Sequence, residues 1–205
     1  TLVPERRTAL RAGDHLAQLA VPDDADVELF DEQLLLHLRS PWRITGEQYP
    51  AGSLLAMPLV EFIEGRRRFD VLFEPSDDIT LDRYERTRDA LLLNLLDRVR
   101  GRVAVLHRRD ARWQRRDLQV PDLARVRATA IDPDHSDDFF LVVEDYLRPT
   151  ELREYRDSQD GGRVIKQLPD YFDADGLRID QHQARSRDGT RVPYFVVGPT
   201  DAAST

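Results

Sequence analysis

Residues 185–197 read RSRDGTRVPYFVV, and this stretch carries the strongest local fold signal in the chain. Asp188-Gly189 offers the positive-φ backbone that a tight hairpin turn requires. After the turn, Val192, Tyr194 and Val196 alternate with the residues of the opposite face, a pattern typical of a strand. The pattern predicts a β-hairpin over Arg185–Val197. Because Pro193 has no N–H to donate, we expect its strand at a sheet edge, or Pro193 at an unpaired position.

Upstream of this hairpin, one pattern occurs three times: a short strand, an acidic turn, a strongly apolar strand, a second turn and a third strand. First strands are predicted at Val27–Phe30, Ile79–Tyr84 and Val126–Ile131, and apolar strands at Leu34–Leu38, Leu91–Leu96 and Phe139–Val143. Third strands are predicted at Leu54–Met57, Val103–His107 and Leu152–Tyr155, and fourth strands at Phe69–Phe73, Trp113–Val120 and Val164–Leu168.

The spacing of the repeats suggests the blades of a β-propeller. The acidic residues Asp31, Asp89 and Asp138 lie 58 and then 49 positions apart, close to the roughly 40 to 50 residues of a four-stranded blade. Apolar middle strands suit a sheet that is covered on both faces. Residues 91–96 also read as a buried helix, so that alternative stays open. A short helix is expected at Pro58–Ile63, with Gly65 as its stop signal.

The hairpin stretch, together with IKQLPDYFDADG (165–176), resembles the prolyl oligopeptidase family of serine peptidases where the β-propeller leads into the α/β-hydrolase domain. The resemblance extends through LLNLLDRVRGR (92–102) and SDDFFLVVEDYLRPTEL (136–152), and is weakest before about Ala25. It implies an all-β chain: an incomplete propeller of about three four-stranded blades in residues 1–175. Residues 176–205 would be the opening strands of a missing α/β-hydrolase domain. The family propeller has seven blades, of which these would be the last.

The chain lacks the catalytic motif of such a hydrolase, which needs Gly-x-Ser-x-Gly on a strained turn. Its seven serines stand outside any such motif: Ser40, Ser53, Ser76, Ser136, Ser158, Ser186 and Ser204. The resemblance therefore implies that a Ser-Asp-His site lies beyond Thr205. We expect no catalytic, cofactor-binding or metal-binding residue here and an inactive chain, although the parent protein would be a serine-type oligopeptidase.

Composition narrows the function classes. A net charge of −8 argues against general binding of nucleic acid or anionic membranes. The absence of cysteine excludes disulfides and thiol catalysis. No apolar run approaches the ~20 residues that span a bilayer, and no signal peptide opens the chain. We expect a cytoplasmic protein, with the periplasm as the open alternative. Thr1 and a single methionine, Met57, suit an excised segment.

Two acidic clusters resemble cation sites, but the first is better explained as a turn and the second fails the calcium-loop pattern. Asp132, Asp134, His135, Asp137 and Asp138 fit an acidic turn between strands. A second run, Asp170, Asp173, Asp175 and Gly176, resembles a calcium loop, but an EF-hand aligned on that glycine needs an acid where Tyr171 stands and a glutamate where His182 stands.

A basic cluster with one aromatic residue could stack on a nucleobase, but an exposed hairpin tip with Asp110-Ala111 as its turn is favoured. The cluster comprises His107, Arg108, Arg109, Arg112, Trp113, Arg115 and Arg116. The five histidines, His15, His37, His107, His135 and His182, lack zinc spacing. A hairpin inserted into the first repeat is expected to be capped by Trp42, Tyr49 and Pro50, in a loop long enough to reach a neighbouring domain or subunit.

Two hypotheses from different classes follow. In the first, the chain is a noncatalytic propeller segment that gates the access of short peptides, with the missing hydrolase domain and remaining blades as partners. In the alternative, it is a propeller-derived interaction scaffold without hydrolase activity. An independent hydrolase with a carboxylate pair is poorly supported, because no pair stands out. Uncovered sheet faces and edges also predict that the isolated chain self-associates or is partly disordered, especially at a hairpin over Arg178–Val197.

Overall fold

The computed structural model describes residues 9–12, 15–156 and 161–201. Within these ranges the chain is built from antiparallel strands and one short helix. None of the described helices is long and apolar enough to cross a membrane. Two compact units are present, Thr1–Leu81 and Asp82–Thr205. The all-β prediction is confirmed, and the predicted repeats correspond to three four-stranded sheets, which we call blades 1, 2 and 3.

Blade 1 follows a small hairpin of β1 (Ala9–Ala12) and β2 (His15–Gln18) that the sequence pattern did not predict. Its strands are β3 (Asp26–Phe30), β4 (Gln33–His37), β7 (Leu54–Pro58) and β8 (Asp70–Phe73), paired in that order. Inserted between them are the hairpin of β5 (Trp42–Ile44) and β6 (Glu47–Tyr49) and the helix α1 (Leu59–Ile63). Both insertions were predicted. The helix follows Pro58, and Gly65 just beyond it has a φ of +93°.

Blades 2 and 3 are uninterrupted four-stranded meanders. Blade 2 consists of β9 (Ile79–Arg86), β10 (Ala90–Asp97), β11 (Arg100–Arg109) and β12 (Arg112–Asp117). Blade 3 consists of β13 (Arg125–Ala130), β14 (Phe139–Glu144), β15 (Glu151–Tyr155) and β16 (Arg163–Gln167). Strands that are neighbours in sequence are neighbours in each sheet. The last strand of each blade is therefore an edge strand: β12 in blade 2 and β16 in blade 3.

The helical alternative for residues 91–96 is wrong. These residues lie inside β10, and Leu91, Leu92 and Leu93 are fully buried. All five residues of β4 are buried as well. A helix would direct only one stripe of this apolar run toward the core, whereas a strand with both faces covered buries every side chain. In β14 only alternate residues are buried, and Phe140 and Val142 are half-exposed.

Blades 2 and 3 share one hydrophobic core. Leu92, Val103 and Val105 of blade 2 belong to the same buried cluster as Phe139 and Leu141 of blade 3. Tyr155 belongs to the same cluster, and its ring stacks on that of Phe139 with 4.7 Å between the two ring centroids. Because the cluster draws on both sheets, these two blades cover one face of each other.

The C-terminal hairpin comprises β17 (Leu177–Arg185) and β18 (Arg191–Pro199). The predicted hairpin is therefore confirmed, and it extends one residue before Arg178 and two residues beyond Val197. Pro193 pairs with Gln183 in the two-stranded sheet of β17 and β18, so its strand is an edge strand. This is the position expected for a residue that has no N–H to donate.

Candidate functional site

The turn of the C-terminal hairpin is held by a local hydrogen-bond network. Gly189 has a φ of +89°, which favours glycine. The Ser186 N–H donates to the Thr190 carbonyl oxygen at 2.9 Å, and the Thr190 N–H donates to Asp188 Oδ1 at 3.0 Å. The Ser186 hydroxyl also donates to Asp188. The two hydrogen bonds that Asp188 accepts favour its charged carboxylate. They lower the pKa of Asp188 to about 2, and the bond from the Ser186 hydroxyl contributes most.

One face of the hairpin rests on the blades of its own unit. The Phe195 ring lies 5.1 Å from that of Tyr146, which follows β14. Arg100, at the start of β11, donates from Nε to Gln181 Oε1 at 2.9 Å. Beside these contacts is a cleft of about 210 Å³ lined by Val99, Leu123, Arg125, Glu144, Asp145 and Tyr146. The hairpin therefore has defined anchors on blades 2 and 3.

On the opposite face of the hairpin, the side chains of β18 are apolar and exposed, whereas β17 contributes the polar residues Asp180 and His182. Val192, Tyr194 and Val196 alternate with Phe195 along β18 and are 47%, 45% and 44% exposed. Opposite Tyr194, the His182 ring stacks at 5.5 Å. Three adjacent apolar side chains on one strand face form a surface suited to covering by another part of a protein. This face is the candidate functional site of the chain, as an interface rather than a catalytic centre.

A second exposed apolar region lies where the chain leaves blade 3. Leu168, Tyr171 and Phe172 are 44%, 77% and 55% exposed. They border a cleft of about 150 Å³ between this segment and the loop at residues 145–150. The segment continues into the run that resembles a calcium loop, where the Asp175 N–H donates to Asp173 Oδ1 at 2.9 Å. That carboxylate is thus occupied in an Asx turn.

The acidic cluster at residues 132–138 joins blade 3 to blade 2. Asp137 Oδ1 accepts hydrogen bonds from the Thr87 hydroxyl at 2.6 Å and from the Asp89 N–H at 2.7 Å. The Arg86 guanidinium donates to Asp134 Oδ1 at 2.8 Å and to the Pro133 carbonyl oxygen at 3.2 Å. The turn predicted here is therefore confirmed, but its carboxylates bind a neighbouring blade, which local sequence did not indicate.

A second polar link between the same blades is buried. The Asn94 amide donates to the Ala128 carbonyl oxygen at 3.1 Å, and the Ala128 N–H donates to Asn94 Oδ1 at 2.7 Å. Asn94 is only 3% exposed. Because an unpaired buried amide is costly, this paired geometry fixes how the two sheets align. Asn94 stands within an otherwise apolar strand, a signal that could have revealed the contact.

The basic cluster forms the β11–β12 hairpin tip, as favoured from the sequence. Asp110 and Ala111 make its turn with φ values of 50° and 59°. Arg109 lies directly opposite Arg112, and Arg108 opposite Trp113. Trp113 is half-buried rather than presented as an open stacking surface.

The histidines whose side chains the structure describes do not gather into one site. Burial is the main cause that lowers the pKa of His37, and the nearby Arg39 guanidinium lowers it further. The Nδ1 atom of His37 lies 3.8 Å from Asp26 Oδ2. The exposed His135 donates a hydrogen bond from Nδ1 to Asp132 Oδ1, 2.9 Å away, and this bond raises the pKa of His135. Among the described residues, no three His, Asp or Glu side chains gather where they could hold a metal ion.

The inserted hairpin of blade 1 packs within its own unit. The Trp42 ring lies 5.4 Å from Phe69, and Tyr49 meets Phe69 edge-on at 6.0 Å. Phe62 of α1 completes this aromatic group, 6.4 Å from Phe69. The hairpin predicted here is confirmed.

Curated relatives of this chain carry peptidase names. The chain is 30% identical over 174 residues to the uncharacterized peptidase y4nA of Sinorhizobium fredii, covering 82% of this chain and 24% of that protein. It is 23% identical over 188 residues to the uncharacterized peptidase RP174 of Rickettsia prowazekii, covering 89% and 26%. The chain thus spans about a quarter of the length of these relatives. No protein-family model matches it.

Among solved structures, a post-proline cleaving enzyme from Rickettsia typhi matches with a TM-score of 0.78 and 21% identity. The match covers 95% of this chain and 29% of that enzyme. At this identity the likeness establishes the fold. The resemblance inferred from the C-terminal junction and the repeats is confirmed.

Proposed function

The chain is a segment of the prolyl oligopeptidase type, and from this premise we propose that it is the noncatalytic propeller portion of a larger serine peptidase. We place the propeller segment in residues 1–175 and the first strands of an α/β-hydrolase domain in residues 176–205. The chain covers only 24% and 26% of the two relatives and 29% of the solved enzyme, which supports an intramolecular partner for this segment.

The observation that carries the proposal is the order of the elements. Three four-stranded blades follow one another along the chain, and a hairpin anchored on the last two follows them. Its exposed apolar face, Val192, Tyr194 and Val196, has the composition of a sheet surface prepared for burial. We assign that face to the hydrolase domain.

In such an enzyme this segment would do no chemistry itself. A serine activated by a histidine and oriented by an aspartate, all outside residues 1–205, would attack the scissile carbonyl. The propeller would restrict access to short peptides, and relative motion of the two domains would admit them. The segment would contribute size selection and an interface between domains.

The test is to read the coding sequence beyond codon 205 and assay the longer protein. We expect Gly-x-Ser-x-Gly, then Asp, then His. We also expect a fluorophosphonate probe to label the longer protein and leave the 205-residue chain unlabelled. A stop codon close to codon 205 would refute the peptidase proposal and favour an interaction scaffold. Labelling of the 205-residue chain would refute its noncatalytic role.

A further inference from the structure

The β11–β12 hairpin ends in a group of positive charges that the proposed peptidase function does not use. We call Arg108, Arg109 and Arg112 the arginine tip. Its turn residues Asp110 and Ala111 are both left-handed, which defines a tight two-residue connection. Arg109 and Arg112 face each other across the ladder, so their Cβ atoms are about 4.5 to 5.5 Å apart. The backbone therefore places the two arginines side by side, where both guanidinium groups can reach one anion.

These charges are not neutralised within the described chain. The three arginines of the tip form no ion pair with any residue the structure describes. Arg115, further along β12, is already engaged with Asp117 at 2.7 Å. Like charges directly opposite each other destabilise a hairpin. An anion between Arg109 and Arg112 would remove that repulsion.

The tip contrasts with the rest of the molecule. Residues 107–117 carry five arginines and two aspartates, in a chain whose net charge is −8. At physiological ionic strength a charge acts over about 8 Å. The field at the tip is therefore set by its own arginines rather than by the acidic surface elsewhere.

We propose that the arginine tip binds an acidic segment of another polypeptide, with a carboxylate seated between Arg109 and Arg112. A guanidinium presents a planar fork of donors that matches a carboxylate in two parallel hydrogen bonds. The partner segment runs beside β12, which is an edge strand of its sheet in the described chain. This inference does not rest on the peptidase proposal.

The local charge pattern favours a polypeptide over a nucleic acid. Asp110 at the turn and Asp117 at the end of β12 would repel a continuous phosphate backbone. Binding of single strands also relies on aromatic platforms, whereas the single tryptophan here is half-buried. An acidic peptide can place its carboxylates selectively, because uncharged residues can face the aspartates.

The test measures binding of a fluorescein-labelled octaglutamate peptide to the 205-residue chain by fluorescence anisotropy. In Arg109→Gln/Arg112→Gln we expect the affinity to fall about tenfold or more. The matched control is Arg187→Gln/Arg191→Gln, which removes two exposed arginines from the other hairpin tip. Its affinity should stay within about twofold of the unmodified chain. Arg109→Lys/Arg112→Lys should fall between them, because lysine keeps the charge and loses the fork.

Several outcomes would overturn the proposal. If both glutamine variants lose the same amount of peptide affinity, the binding is due to general electrostatic attraction and not to the arginine tip. Absence of peptide binding to the unmodified chain at low salt would also reject it. Tighter binding of a labelled octathymidylate than of octaglutamate would assign the tip to nucleic acid instead. Circular dichroism of each variant verifies that the fold is retained.

Discussion

The link from Asp137 to blade 2 gives the sharpest test of how these blades are joined, through the substitution Asp137→Ala. Its carboxylate is 14% exposed and accepts two hydrogen bonds, from the Thr87 hydroxyl at 2.6 Å and the Asp89 N–H at 2.7 Å. A hydrogen bond to a charged group contributes about 1.5 to 3 kcal/mol. The Thr87 hydroxyl can still turn to the Ala90 carbonyl oxygen, 3.1 Å away, and recover part of the loss.

We therefore expect Asp137→Ala to lower the free energy of unfolding by about 3 kcal/mol. For a chain of this size, each kcal/mol shifts the melting temperature by about 2 to 4 °C, so the Tm should fall by about 6 to 12 °C. Thermal unfolding followed by circular dichroism measures the shift. Asp137→Asn, which keeps an acceptor and loses the charge, should lie between the two proteins.

Asp134→Ala is the matched control, since it removes a carboxylate from the same loop. Asp134 is 65% exposed and pairs with Arg86 at 2.8 Å, so its loss should cost no more than about 1 kcal/mol. In a double-mutant cycle, Thr87→Val should cost less in the Asp137→Ala background than in the unmodified chain. Additive effects, or a larger loss for Asp134→Ala, would refute the proposed link.

Three further predictions follow from the described contacts. Gly101→Ala should destabilise the chain by about 2 to 3 kcal/mol in urea unfolding, because a Cβ there would lie 2.5 Å from the backbone nitrogen of Val126; an unchanged midpoint would contradict this close packing. Asp188 should titrate by NMR at about 2, and Ser186→Ala should raise that pKa. Since its folded pKa is depressed, Asp188 stabilises the turn above its unfolded pKa of about 3.9, and this contribution is lost as the pH falls through about 2. Val164→Lys on the exposed edge strand β16 should reduce self-association in sedimentation velocity; a monomer at all concentrations before substitution would show that this edge does not drive association.

The blades were predictable from the sequence because their signal is local. Runs such as Leu91–Leu96 between acidic turns recur at blade spacing, and each became the second strand of a sheet. The β1–β2 hairpin escaped prediction because alanine and leucine dominate its apolar positions in place of β-branched residues.

The contacts that hold these elements together were not predictable in the same way. Thr87 and Asp137 are 50 positions apart, and nothing in either segment indicates the other. The same holds for Tyr146 and Phe195, which bring the C-terminal hairpin onto blade 3. Such pairs depend on how two sheets are placed, whereas periodicity describes only the sheet in which it occurs.

The core shared by blades 2 and 3 has a consequence for synthesis on the ribosome. Leu92 is buried against a cluster that includes Phe139, which is translated 47 residues later. At about 5 to 20 residues per second, that interval lasts roughly 2 to 10 seconds. Throughout it, the emerging leucine-rich strands lack the sheet that covers them, so the growing chain passes through a window in which chaperone binding competes with misassembly.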